Sequence, residues 1–202
     1  MKVENKEHSP QSLQCRFDCR YLEGPKGYRA GAELGCETTT LDMDKEGTVT
    51  KTAPFDHVTR EAMEDILPEF TGKIQQIPPI FSAIRKGGKK LYEEARAGKS
   101  ADDVKIEPRE VEVLSIELQS FDLPKFDVEI QCGGGTYIRS LVRDIGYKLN
   151  SVATTTYLER TQQGQFKLEH TLAKDERTAD NIYNAIDKLN AERRDLDGGS
   201  SE

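Results

Sequence analysis

The chain has 202 residues and a formal net charge of −7, with 35% hydrophobic and 32% charged residues. That apolar share lies below the ~45–50% of ordinary globular chains, yet it is enough for one domain with a thinly spread core. No run approaches the ~18–20 apolar residues a spanning helix needs, which argues against a membrane partner. The first eight residues, MKVENKEH, carry acids and no apolar run, so they read as neither a secretory signal nor a transit peptide.

Residues 1–20 show no clean periodicity and are expected to be irregular. Tyr28, Ala30, Ala32 and Leu34 then alternate with Arg29, Gly31 and Glu33, the period of a half-buried strand. Residues 38–47 form a polar connection ending at Gly47. Thr59 can cap a helix carrying Met63, Ile66, Leu67 and Phe70 at helical spacing, with Pro68 bending or ending it and Gly72 closing it. Pro78 and Pro79 force extension, Gly87 and Gly88 permit a bend, and Leu91 to Ala97 can form a short helix.

Residues 109–120 alternate with a slip of phase between Val113 and Ile116, the mark of a bulge. Phe126, Val128, Ile130 and Cys132 give the cleanest strand. Gly133, Gly134 and Gly135 lead into a helix bearing Ile138, Leu141, Val142, Ile145 and Leu149. This glycine run lacks both the GxGxxG spacing and a Walker lysine, so a tight strand-to-helix turn is the plainer reading. A last helix is expected near 180–191, with Ile182, Ile186 and Leu189 on one face, and a solvated, disordered tail from Glu192 to Glu202. The order of elements predicts an α+β fold with a mixed, largely antiparallel sheet flanked by helices.

Charge is unevenly spread. Between residues 73 and 99 seven bases (Lys73, Arg85, Lys86, Lys89, Lys90, Arg96 and Lys99) face two acids (Glu93 and Glu94), a local +5 in an acidic chain. Such a face is where phosphate contacts would be wanted. Cys15 and Cys19 have no matching Cys or His pair, and His8, His57 and His170 are scattered. Cys36 and Cys132 complete the set, and reduced thiols in an intracellular protein are expected in place of a zinc site.

Four blocks, taken together, resemble the TruB type of tRNA pseudouridine synthase, the pseudouridine-55 synthase family. They are GYRAGAELG at 27–35 with TTTLD at 38–42, and QQIPPIFSA at 75–83 with GKKLYEEAR at 88–96. The others are CGGGTYIRSLVRDIG at 132–146, and YLERT at 157–161 with GQF at 164–166. The resemblance runs from about Tyr21 to Leu172. It implies an isomerase of T-loop uridine, with tRNA or mRNA as partner, a monomer, and no cofactor or metal.

The resemblance also implies roles. Tyr28 would lie against the flipped uracil and assist the final proton transfer. Tyr137 would line the same pocket, Arg139 would pair with the catalytic aspartate, and Leu158 would pack against the base. Residues 77–96 would belong to the RNA-grasping region. A uridine must leave its stack before its glycosidic bond can be reached, and an aromatic face offsets the lost stacking by ~1–3 kcal/mol.

The family's nucleophile sits in a Gly-Thr-Leu-Asp block upstream of the strand holding Tyr28, and the 27 residues before Tyr28 contain none. Asp42 in Thr40-Leu41-Asp42 stands where the family has a separate Thr-x-Asp turn, so it is not expected to be the nucleophile. The sequence therefore predicts a catalytic domain over 21–172 that lacks its N-terminal part and does not turn over. A non-catalytic relative that grips the tRNA elbow is the alternative.

Overall fold

The computed structural model describes residues 24–43 and 46–198. The irregular start expected over 1–20, with Cys15, Asp18 and Cys19, lies outside the described residues, as does Asp44. The chain runs through β1 (Lys26–Leu34), a ribbon of β2 (Cys36–Thr38) and β3 (Val49–Thr52), helix α1 (Arg60–Ile66) and β4 (Gly72–Gln76). A second ribbon, β5 (Arg85–Lys86) and β6 (Lys89–Lys90), leads to the short helices α2 (Leu91–Arg96) and α3 (Ala101–Val104). Then follow β7 (Arg109–Asp122), β8 (Lys125–Cys132), α4 (Ile138–Lys148), β9 (Ala153–Gln163), β10 (Phe166–Lys167) and α5 (Ala179–Gly198).

Six strands make one sheet in the order β10-β9-β1-β8-β7-β4, and each pairing in it is antiparallel. A single parallel bridge, Asp42 to Thr155, ties the turn after β2 to β9. The alternation in β1 and β8 puts Tyr28, Ala30, Ala32 and Leu34 beside Phe126, Val128, Ile130 and Cys132 on one buried face. Helix α4 covers that face with Ile138, Leu141, Val142 and Ile145, and Met63 and Leu67 join the same core. Burying one such side chain stabilises the fold by about 1.5–3 kcal/mol. Gly146 lets α4 approach β9 closely, since a Cβ there would lie 2.6 Å from the Ala153 nitrogen.

Thr59 caps α1 as its sequence position predicts, accepting the Ala62 N–H at 3.2 Å. Pro68 does not end the helix outright; the chain tightens to a 3-10 turn over Leu67–Phe70 before Gly72 opens β4. The slip in β7 is a register shift between Val113 and Ser115, and a second follows between Leu118 and Ser120. Two features depart from expectation. The connection over 38–47 adjoins a small ribbon, and the last helix continues to Gly198, past the point where a tail was expected. Strand β4, with Ile74 as its one aliphatic residue, exists because β7 offers it an edge to pair with.

Candidate active site

The floor of the site comes from β1 and β9. Cross-strand register sets Tyr28 opposite Arg160 and Ala30 opposite Leu158, and residues directly opposed on an antiparallel pair share a face. Tyr28 is 8% exposed, and the Arg160 guanidinium carbon lies 5.6 Å from its ring centroid. Burial pushes the Tyr28 phenol above its ordinary range, and the Arg160 charge pulls it back. Leu158 lies on the same face but is 40% exposed. By composition it would be a core residue; the structure leaves it open beside a buried tyrosine.

The turn of Gly133 to Gly135 leads from β8 into the start of α4. Tyr137 is the N-cap of α4, in extended conformation (φ −102°, ψ 107°). Its N–H donates to Gln76 Oε1 at 2.8 Å, and Gln76 Nε2 donates to its carbonyl at 3.1 Å. One turn on, Ser140 Oγ donates to the Ile77 carbonyl at 2.9 Å and Arg143 Nη2 to the same oxygen at 3.2 Å. Arg139 donates from Nη1 to the Thr40 carbonyl at 2.8 Å and from Nη2 to the Phe81 carbonyl at 3.1 Å. Its guanidinium thus joins the 38–42 turn to the 77–81 segment. In that turn the Thr38 and Thr40 hydroxyls donate to the Asp42 carbonyl at 2.8 and 3.0 Å, around Leu41 at φ +58°.

Gln76 and Arg160 are the residues that sequence reasoning passed over. Gln76 lies inside the 75–83 block and Arg160 inside YLERT, so both were in view, but neither is a residue type that advertises a role by spacing.

A cleft of about 780 Å3 opens between the β2–β3 ribbon and the 77–81 segment, with Arg143, Asp144 and Tyr147 along one wall. The Tyr147 hydroxyl donates to the carboxylate of Glu37, which is buried, and Lys51 Nζ donates to the Tyr147 oxygen at 2.9 Å. Burial raises the Asp144 carboxyl above its usual range despite its contact with Arg143 at 2.7 Å, and the Glu37 charge adds to the rise. Acids and bases balance there, so the cleft has no anion-binding bias. Among the described residues no group of three His, Cys, Asp or Glu converges on a point that could hold a metal. Cys36 and Cys132 are free thiols, and no helix among the described residues is long and apolar enough to cross a membrane.

The basic residues divide into two places. Lys73 is on edge strand β4, 3.3 Å from Glu110. The others lie on the β5–β6 ribbon, where Gly87 and Gly88 both take positive φ at the tip, on α2, and in Lys99 just after it. Lys86 donates to the carbonyls of Val104, at 2.8 Å, and Lys105, fastening the ribbon to the chain after α3. Lys89 (3.8 Å) and Lys99 converge on Glu94, while Lys90 and Arg96 lie over the Tyr92 ring at 5.3 and 5.6 Å. The local positive charge is real, but Glu94 offsets part of it.

An antiparallel six-stranded sheet with one helix-covered face defines an α+β class shared with solved structures. A crystal structure of a Cbf5-Nop10-Gar1 complex matches with TM-score 0.56 at 23% identity, over 80% of this chain and 37% of that one. An H/ACA RNP bound to a substrate RNA containing 2'-deoxyuridine matches with TM-score 0.53 at 20% identity, over 87% and 39%. These likenesses establish the fold.

The family model described as TruB family pseudouridylate synthase (N terminal domain) matches residues 13–138, and the chain belongs to that family. Pseudouridylate synthase TRUB1 of Homo sapiens is 45% identical over 167 residues, covering 82% of this chain and 47% of the human protein. The tRNA pseudouridine synthase B of Pseudomonas fluorescens is 43% identical over 161 residues, 80% of this chain and 51% of its own. The chain spans about half the length of these curated relatives.

Proposed function

We propose that this chain binds the T-loop of tRNA and presents one flipped uridine for isomerisation to pseudouridine. The observation that carries this reading is the pairing of a buried Tyr28 with an open Leu158 on one face, beneath Arg160. Tyr28 and Leu158 hold the base, Tyr137 closes the pocket from the start of α4, and Arg139 fixes the two segments that border it. The reaction breaks the bond from the ribose carbon to N1 of uracil, turns the base, and forms a bond to C5, whose proton is then lost. It needs no metal or redox group, and Tyr28 is the group that handles that last proton. A T-loop hairpin in mRNA would offer the same base, the chain acts as a monomer, and the setting is intracellular.

Turnover needs a carboxylate to capture the uridine. A second reading is that the chain grips the tRNA without isomerising it. A titration with a T-loop hairpin and a scrambled hairpin tests the shared part of both readings. Preference for the T-loop, lost in Tyr28→Ala, is expected; equal affinity for both hairpins would overturn it. Tritium release from C5-labelled uridine separates the two, and none is expected from the 202-residue chain.

A further inference from the structure

We propose that Gln76 is a positioning residue for Tyr137, and that it makes the placement of this tyrosine depend on the strap leading to the basic ribbon. This rests on the reading of Tyr137 as a pocket residue. Gln76 is the last residue of edge strand β4, and it is 1% exposed. A primary amide is seldom buried so fully unless its donors and acceptor are engaged. Here both ends engage one residue: the carbonyl oxygen accepts from the Tyr137 N–H and the NH2 donates to the Tyr137 carbonyl. Because one partner can only donate and the other can only accept, the orientation of the amide is fixed by chemistry.

Before Tyr137, Thr136 Oγ1 donates to the Gly133 carbonyl at 3.3 Å, and the Gly133 N–H to the Glu112 carbonyl at 2.8 Å. The residues before Tyr137 include Gly134 and Gly135; Gly135 takes φ +87°, and a Cβ there would meet nothing within 4 Å. Tyr137 caps α4 without a side-chain cap bond of its own. Its extended backbone is held from outside, by Gln76 on one side and by the first helical bond, Leu141 N–H to its carbonyl, on the other. Side-chain length matters too: Asn is one methylene short, and an aliphatic residue would leave two main-chain groups without the partner they have now.

Immediately after Gln76, the Ile77 carbonyl takes bonds from Ser140 and Arg143, and the Phe81 carbonyl takes one from Arg139. The strap over 76–81 is therefore laced to the first turns of α4 at three successive points. The same strap continues into the ribbon that carries Arg85, Lys86, Lys89 and Lys90. The ribbon is thus continuous with the segment whose first bonds to α4 are those of the Gln76–Tyr137 pair.

The test labels the 202-residue chain with 3-fluorotyrosine and follows Tyr137 by fluorine NMR, assigned with Tyr137→Phe. Gln76→Met, similar in volume without the amide, is expected to shift or broaden the Tyr137 signal at every pH while the other tyrosine signals stay in place. Gln76→Glu adds a readout that mere bulk would not move. As the neutral acid it can both accept from the Tyr137 N–H and donate to the carbonyl; as the carboxylate it faces that carbonyl with a negative charge. Burial raises its pKa above the ordinary ~4.3. The Glu variant is therefore expected to match wild type near pH ~5 and to approach the Met variant by pH ~7.5.

A wild-type Tyr137 signal in the Met variant would overturn the proposal. If the Met variant fails to fold, a wild-type signal from the Glu variant across the whole range, with its carboxyl shown ionised by infrared absorption, overturns it equally. In the same variants the preference for a T-loop hairpin over a scrambled one is expected to fall about tenfold, the scale of one buried hydrogen bond. A displaced Tyr137 signal with unchanged preference would leave the positioning intact and overturn the placing of Tyr137 in the pocket.

Discussion

Tyr28 and Arg160 face each other across β1 and β9, with the guanidinium carbon 5.6 Å from the centre of the ring. Two opposing influences meet on the phenol: burial raises its pKa, and the positive charge of Arg160 lowers it, with burial the larger. Arg160→Gln removes the opposing influence, so the phenol should titrate at higher pH than in wild type. Ultraviolet difference titration against Tyr28→Phe checks this. A downward shift, or none, would show that the pairing has no electrostatic consequence.

The basic ribbon gives a prediction about salt. Lys89→Ala with Lys90→Ala should weaken binding of cognate and unrelated hairpins about equally, because phosphate contacts position without specifying. The log–log salt slope should become shallower by ~0.7–0.9 for each phosphate that is no longer neutralised. Glu94→Gln should act in the opposite sense, since it releases Lys89 and Lys99 from the carboxylate they share. Lys86→Ala should change the slope least, because its ammonium is spent on the carbonyls of Val104 and Lys105. A slope unmoved by the Lys89 and Lys90 exchange would reduce the ribbon to a solvated face.

Asp144 predicts a pH dependence of stability. Its folded pKa is raised, first by burial and then by Glu37, with Arg143 opposing. A carboxyl raised in the folded state contributes stability that is complete below its unfolded pKa (~3.9) and is lost as pH rises through the folded value. Asp144→Asn keeps the shape and cannot ionise. Its Tm relative to wild type should therefore rise from acid to neutral pH, which thermal melts across that interval measure directly. A relative Tm that falls with pH would mean that the Arg143 pairing outweighs burial.

Gly146 sets helix propensity against packing. Replacing a mid-helix glycine by Ala ordinarily gains ~0.8–1 kcal/mol. Here the new Cβ would lie 2.6 Å from the Ala153 nitrogen and 2.8 Å from the Val152 carbonyl carbon, both main-chain atoms that cannot step aside cheaply. Overpacking of this kind typically costs ~1–3 kcal/mol, so Gly146→Ala should be net destabilising in urea unfolding. A stabilised variant would show that α4 can lift off β9.

Alternation and capping made much of the fold legible from the chain alone. The apolar period of two over 28–34 and 126–132, the slip after Val113, and Thr59 ahead of an apolar helical stripe each follow from local rules of backbone geometry. The joint occurrence of the 75–83 and 132–146 blocks pointed to the family in the same way, because a block match needs only order along the chain. The positive charge near Lys89 was equally a matter of counting.

What neighbours in space supply was beyond reach. Strand β4 reads as a polar link until β7 offers its edge, and Leu158 reads as core until the fold leaves it 40% exposed. That Gln76 meets Tyr137, 61 positions away in sequence, depends on the intervening chain folding back to bring the end of β4 against the start of α4. Arg139 likewise reaches Thr40, 99 residues away, and holds a carbonyl there. A hydrogen bond acts over about 3 Å, and sequence separation carries no information about which distant groups come within it. Sequence alone determined β1, β7, β8, the Thr59 cap and the family; the partners of Tyr137, Arg139 and Tyr28 were decided only when sheet and α4 packed together.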